Sequence, residues 1–338
     1  MRKIAVITGA GAGVGRATAL EFARNGYDVA LLSRDPDRLD SLKREIERIG
    51  QRALPIPTDM ADADQVEAAA SQVESELGAI AVWVNVAMAT VFSPVDQLTP
   101  REVQRATEVT YLGQVYGMMA ALKRMRLRRQ GKIVNVGSAL SYRSVPLQAA
   151  YCGAKAAIRG FTDSLRSEII HDGLDIGLTM VHLPAVNTPQ FDWALNKMHK
   201  MARPVAPIFE PEVAARAIYF GATHERREVW VGFSTVKAIV GNMIAPGLID
   251  RYLASAGYSG QLSNRPLPPD SPGNLFEPVP GHATAHGRFD ASARSSSWEM
   301  FTERHREAIL AGVAVAGLLG ISWLLGGQRR HRVVRRSY

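Results

Sequence analysis

At 338 residues, 46% hydrophobic and 21% charged, the chain has the balance of a globular protein with length for one large core or two modest ones. Its net charge of +8 is concentrated in the last ten residues, RRHRVVRRSY, which hold five arginines, so a basic face for nucleic acid is not expected. The one cysteine, Cys152, excludes an intrachain disulfide and a cysteine zinc cluster and fits a reducing compartment.

Short apolar runs alternate with longer helical patterns from residue 3 to about 232. KIAVIT is followed by a helix over 14–25, YDVALLS by a charged helix over 36–49, and ALPIPT by a helix over 63–77. AVWVNVA leads into a long helical zone over 101–128, GKIVNVGS into a helix over 150–171, and DIGLTMVHL into a helix opened by Pro211 and Glu212, with EVWVG as a last strand. Near-continuous apolar strands separated by helices predict an α/β fold, a Rossmann-type doubly wound parallel sheet covered on both faces. The opening residues read as strand and turn, not as a secretory signal.

Beyond the sheet, residues 236–254 form two helical pieces split at Pro246-Gly247. Residues 257–297 carry six prolines and no periodicity and read as a linker. Residues 308–325, AILAGVAVAGLLGISWLL, are uncharged and about 27 Å long as a helix, near the span of a bilayer core, with Trp323 and arginines at one end as interfacial anchors. The predicted organisation is a catalytic domain over 1–256, the linker, and a membrane-associating segment over 298–338. The terminal arginines favour a cytoplasmic C-terminus by the positive-inside rule. A cytoplasm-facing domain on one spanning helix conflicts with that, and a tether with the catalytic domain in the cytoplasm is the preferred arrangement.

TGAGAGVG, residues 8–15, lies between the first strand and the first helix, where glycines Gly9, Gly13 and Gly15, with Val14, let a diphosphate approach the backbone and the helix N-terminus. The second strand ends Ser33-Arg34 in place of an acidic residue; Arg34 can pair with a 2′-phosphate and Ser33 can hydrogen-bond it, which favours NADP(H). Arg16 can add a second positive charge. Ser138 closes a strand, while Tyr151 and Lys155 stand one helical turn apart on one face. A neighbouring ammonium is expected to lower the phenol pKa, so that Tyr151 exchanges a proton with a substrate oxygen held by Ser138.

Through TGAGAGVG, the Ser138, Tyr151 and Lys155 constellation and the aspartate of PTDM, residues 1 to about 235 resemble the short-chain dehydrogenase/reductase family. The resemblance implies that Asp59 contacts the adenine, that Asn85 stabilises the sheet beside the cofactor, and that Thr188 in LPAVNTP touches the nicotinamide carboxamide. It assigns Tyr151 as acid or base, Lys155 to the nicotinamide ribose and Ser138 to the substrate oxygen. Three positions depart from the family pattern: Met88 replaces a glycine, Thr110 an asparagine of a proton relay, and Ala185 a glycine. Thr110 can still hydrogen-bond and hold a relay water.

The expected activity is an NADP(H)-dependent carbonyl reductase or alcohol dehydrogenase acting on an apolar ketone or alcohol, because FDWALNKMHKMARPVAPIF over 191–209 makes an apolar cover. The alternative is a membrane-tethered NADPH-binding scaffold or redox sensor, suggested by Met88 and Thr110 and opposed by the intact Ser138, Tyr151 and Lys155. A homo-oligomer is expected, with Met118-Met119 in the core or a subunit interface. Cys152 is a packing residue. His282 and His286 lie in a segment without helical pattern and do not suggest a metal site.

Overall fold

A computed structural model describes residues 2–281 and 283–297. Seven strands make the central sheet: β1 (Lys3–Thr8), β2 (Tyr27–Ser33), β3 (Ala53–Pro57), β4 (Ile80–Asn85), β5 (Gln130–Ser138), β6 (Asp175–Leu183) and β7 (Glu228–Trp230). They lie in the order 3-2-1-4-5-6-7, every neighbouring pair parallel. Strand order reverses between β1 and β4, and because all strands run the same way their carboxyl ends share one edge, where open α/β sheets bind ligands. Val6, Trp83 and Ile133 from adjacent strands are fully buried, which is why these runs read as continuously apolar.

Of the helices α1 (Gly13–Arg24), α2 (Pro36–Ile49) and α3 (Ala63–Glu76), the last two start where the sequence supplies caps: Asp35 accepts from Arg38 N, and Asp62 accepts from Asp64 N and Gln65 N. The N-cap of α1 is Ala12, which offers no side-chain acceptor and leaves the helix N-terminus open to a ligand. The predicted helical zone 101–128 is two helices, α4 (Pro100–Thr107) and α5 (Gly113–Arg128), joined by a π-helical turn, Glu108–Leu112. The backbone crowds Met60 there, since a Cβ on Gly113 would stand 2.8 Å from Met60 O. Helices α6 (Ala149–His171) and α7 (Pro211–Thr223) complete the sandwich, and Pro246 separates α8 (Phe233–Ile244) from α9 (Pro246–Gln261).

A buried polar chain ties sheet to helices. Trp83 Nε1 donates to Asn85 Oδ1 (2.8 Å), Asn85 Nδ2 to Asn135 Oδ1 (2.9 Å), and Asn135 Nδ2 to Thr162 Oγ1 on α6 (2.9 Å). Each buried amide thus finds partners, without which it would cost about 1–3 kcal/mol.

Residues 257–297, linker-like in composition, pack on the domain. Residues 257–261 finish α9, residues 262–266 pair antiparallel with 200–202, and residues 293–294 pair with 208–209. Between them Leu275 is buried among Ala89, Val91, Ala106 and Val109. That burial stabilises the docked segment by roughly 1.5–3 kcal/mol. The carbonyls of Asn274, Phe276 and Val279 find donors in Arg34 and Arg38, and that of Leu275 in Arg105. The apolar run 308–325 lies outside the described residues, as does His282. Among the described residues no helix is long and apolar enough to cross a membrane.

The far end of this strap is pinned by His286, whose Nε2 is 3.0 Å from Glu212 and Nδ1 3.0 Å from Asp290. Burial by itself would lower the His286 pKa, but hydrogen bonds to Asp290 and Glu212 and their charges outweigh it and raise the value. A raised folded-state pKa gives stability that is complete below the ordinary histidine pKa of about 6.5 and is lost as pH rises through the higher folded value. Hydrogen exchange in 283–290 should therefore speed up across that window in wild type, whereas His286→Ala should exchange fast throughout; a wild-type strap indifferent to pH would contradict the pinning.

Candidate active site

The site begins at the glycine turn. A Cβ on Gly15 would lie 2.1 Å from Gly9 O, so only glycine lets α1 sit this close to β1; Gly9 and Gly13 take φ of +67° and +57°. Thr8 Oγ1 accepts from Val86 N and Ala87 N (2.9 and 3.1 Å), joining the ends of β1 and β4, a role that the sequence reading missed. Gly9, Gly13, Val14, Gly15, Ser33, Arg34, Asp59 and Thr188 all line one cavity of about 720 Å³. Arg38 lines it too, one turn after Arg34 at the start of α2, a spacing visible in SRDPDR. Asn85 does not line it; its amide is spent within the buried chain that holds the sheet. Asp59 pairs with Arg105 (2.5 Å). The open helix N-terminus, the close glycine cradle and the adjacent Arg34 and Arg38 fit the diphosphate and phosphate groups of a dinucleotide.

At the other end of the cavity Ser138 closes β5, and its Oγ accepts from Leu140 N (3.1 Å) and lies beside the Tyr151 phenol, whose pKa it acts to lower. Tyr151 is in the first turn of α6. Lys155, 1% exposed, donates to Val136 O (2.6 Å) with its Nζ 5.6 Å from the Tyr151 ring centre. The three residues are brought together as the sequence predicts, but the electrostatics are reversed. Burial raises the Tyr151 pKa, opposed by the Ser138 hydroxyl, and Lys155 does not counter it. Lys155 itself is pushed by burial down to about 7, because no carboxylate accompanies it into the protein. Tyr151 is therefore a protonated phenol at neutral pH, a proton donor.

Thr110 sits at the π-turn, fully buried, with its hydroxyl engaged twice by one residue: it accepts from Ala89 N (2.9 Å) and donates to Ala89 O (2.8 Å). It does not line the cavity. Its only proton is committed, so the expectation that it holds a relay water gives way to a role in anchoring the loop that carries Met88, which does line the cavity.

A second set of side chains stands behind Ser138. His182 on β6 is fully buried, with Nδ1 3.1 Å from Ser138 O and Nε2 3.4 Å from Glu228. Tyr142 and Trp230 Nε1 also donate to Glu228 (2.8 and 2.7 Å). Burial alone would raise the Glu228 pKa; His182 and these donors outweigh it and hold the carboxyl down at about 2. The β5–β6 register sets Ser138 beside Leu183 and Gly137 beside His182, and in the sequence the histidine within an apolar strand gives no sign of this contact.

Lys155 supplies a direct test. Its folded-state pKa lies below that of an unfolded lysine, about 10.4, so the unfolded chain holds the extra proton between about pH 7 and 10.4 and stability must rise with pH over that window. Denaturant unfolding should show this rise in wild type and not in Lys155→Met; equal pH profiles for the two would contradict the burial of a strained ammonium.

The short chain dehydrogenase family profile matches residues 3–198. The uncharacterized oxidoreductase YxnA of Bacillus subtilis is 29% identical over 323 residues, covering 95% of this chain and 89% of its own length. A fatty acyl-CoA reductase of Acinetobacter baylyi is 27% identical over 259 residues, covering 76% of this chain and 84% of its own. An alcohol dehydrogenase from the archaeon Thermococcus sibiricus, solved in complex with 5-hydroxy-NADP, superposes with a TM-score of 0.60 at 25% identity over 68% of this chain and 96% of its own. With a profile match across more than half its length and the serine, tyrosine and lysine in one cavity at the carboxyl edge of a parallel sheet, the chain belongs to the short-chain dehydrogenase family of oxidoreductases.

Proposed function

We propose that the protein is an NADP(H)-dependent carbonyl reductase acting on an apolar aldehyde or ketone, with Tyr151 as the proton donor. The observation that carries this reading is the meeting of Ser138, Tyr151 and buried Lys155 in the cavity that also holds the glycine cradle. Ser33 and Arg34 favour a 2′-phosphorylated dinucleotide, and the relative from Thermococcus sibiricus was solved with an NADP derivative.

When bound, the nicotinamide supplies the hydride that adds to the carbonyl carbon. Ser138 holds the carbonyl oxygen by a hydrogen bond. Tyr151 passes its phenolic proton to that oxygen as the C=O bond becomes a C–H and an O–H bond, leaving a phenolate. Lys155, with one N–H on Val136 O, can turn its other donors to the cofactor ribose and lend positive charge to that phenolate. With its pKa raised by burial, the phenol holds its proton at neutral pH and so has one to give.

The substrate end of the cavity is bounded by Phe92, Val145, Phe191, Val205 and Leu253, which supports an apolar substrate. Helices α8 and α9 expose Phe233, Ile244, Leu248 and Tyr252, the last of which also lines the cavity. Together with the apolar run 308–325, this patch supports attachment to a membrane with the catalytic domain facing the cytoplasm. Carbonate-washed membranes should then retain the full chain and lose one truncated after Ser297; equal retention would contradict the attachment.

Purified protein should oxidise NADPH in the presence of medium- and long-chain aldehydes or ketones. Tyr151→Phe should lower kcat by roughly 10²–10⁴-fold, the range for loss of a general acid, with NADPH binding little changed. Cofactor binding without turnover by wild type on any carbonyl would favour the other reading, a nucleotide-binding scaffold in which Met88 narrows the cavity beside the catalytic residues.

A further inference from the structure

The strap crosses the phosphate-binding end of the site. Arg34 donates to Phe276 O (2.5 Å) and Asn274 O (2.6 Å), Arg105 donates to Leu275 O (3.2 Å), and Arg38 donates to Val279 O. Thr284 O accepts from Gly13 N at the start of α1 (3.0 Å). The donors expected to receive the 2′-phosphate and the diphosphate are thus occupied by main-chain carbonyls from 240 residues further along the chain. Glu277 adds a carboxylate charge that acts on Arg34.

We infer that residues 274–281 and 283–284 are an internal stand-in for the anionic groups of the cofactor, one that NADP(H) must displace from Arg34, Arg38 and the N-terminus of α1 in order to bind. This rests on the NADP(H) reading above. Three arginines gathered in one partly buried place repel one another; Asp59, paired with Arg105, and Asp35, paired with Arg38, offset part of that repulsion, and in the free protein Glu277 and the strap carbonyls add to the offset. A phosphate does the same more strongly, since its hydrogen bonds from arginine are charge-assisted. The two sets cannot share the site: a carbonyl oxygen and a phosphate oxygen compete for the same N–H directions and repel each other. Leu275 in its apolar pocket, the Phe276 ring under Arg101, Asn274 N on Trp193 O and the His286 pin anchor the strap, but the carbonyls it offers the arginines are neutral, so a doubly charged phosphate can displace them and yield to them again when the product cofactor leaves. The strap consequently sets both cofactor affinity and the rate of exchange.

Hydrogen exchange of the full-length wild-type protein with and without NADPH tests this. NADPH at saturation should raise the exchange rate of amides in 274–281 and 283–286 by tenfold or more. Unchanged or slowed exchange there, with NADPH bound, would overturn the inference and leave the NADP(H) reading intact. In parallel, Leu275→Asp places a charge in the apolar pocket and should tighten NADPH binding, measured by calorimetry, by tenfold or more. Equal or weaker binding by a folded Leu275→Asp protein would also overturn it; should that variant not fold, the exchange experiment on wild type decides alone. Failure of both wild type and a folded Leu275→Asp to bind NADPH would instead bring down the cofactor reading, and the inference with it.

Discussion

The close packing of α1 on β1, possible only because Gly15 has no side chain to strike Gly9 O, is the contact on which the rest of the site depends. It sets an uncapped helix N-terminus over the carboxyl edge of a parallel sheet, at the point where strand order reverses. Thr8 then fixes the loop after β4, Ser33 and Arg34 close the neighbouring strand, and the β5–β6 register carries Ser138 to the same edge. A side chain at residue 15 would push the helix away and dismantle the anion cradle first.

The proton-transfer end follows a different rule, that of desolvation. Lys155 is withdrawn from water and Tyr151 partly so, and burial acts oppositely on an acid that ionises to an anion and a base that carries a cation. The phenol is kept protonated and the lysine is held at about 7, so in the free protein the pair is primed to give a proton and only half committed to a positive charge near neutral pH. At the phosphate end the strap carbonyls meet the charged donors that line the cavity. Both ends of the cavity are strained electrostatically in ways that an anionic, ribose-bearing ligand would relieve.

Much of this was legible in the sequence. The strands announce themselves as apolar runs, TGAGAGVG sits between strand and helix, and the spacing of Tyr151 and Lys155 puts them on one face of α6. What was hidden depended on partners distant in the chain. Composition alone marked 257–297 as linker, since nothing in a proline-rich stretch reveals that Arg34 and Arg38 will receive its carbonyls. The fate of Thr110 turned on a backbone neighbour, Ala89, that no motif names, and the π-turn that places it breaks helical periodicity by one residue. The direction of the Tyr151 shift could not be read because charge proximity is visible in spacing while burial is not.

The claim that Arg34 reads a 2′-phosphate underlies the cofactor, the reaction and the strap alike. Its most direct test is the ratio of dissociation constants for NADPH and NADH in wild type and Arg34→Leu. Loss of charge-assisted hydrogen bonds worth about 1.5–3 kcal/mol should reduce the preference for NADPH by at least about tenfold. An unchanged ratio, or a wild-type protein that prefers NADH, would contradict the account.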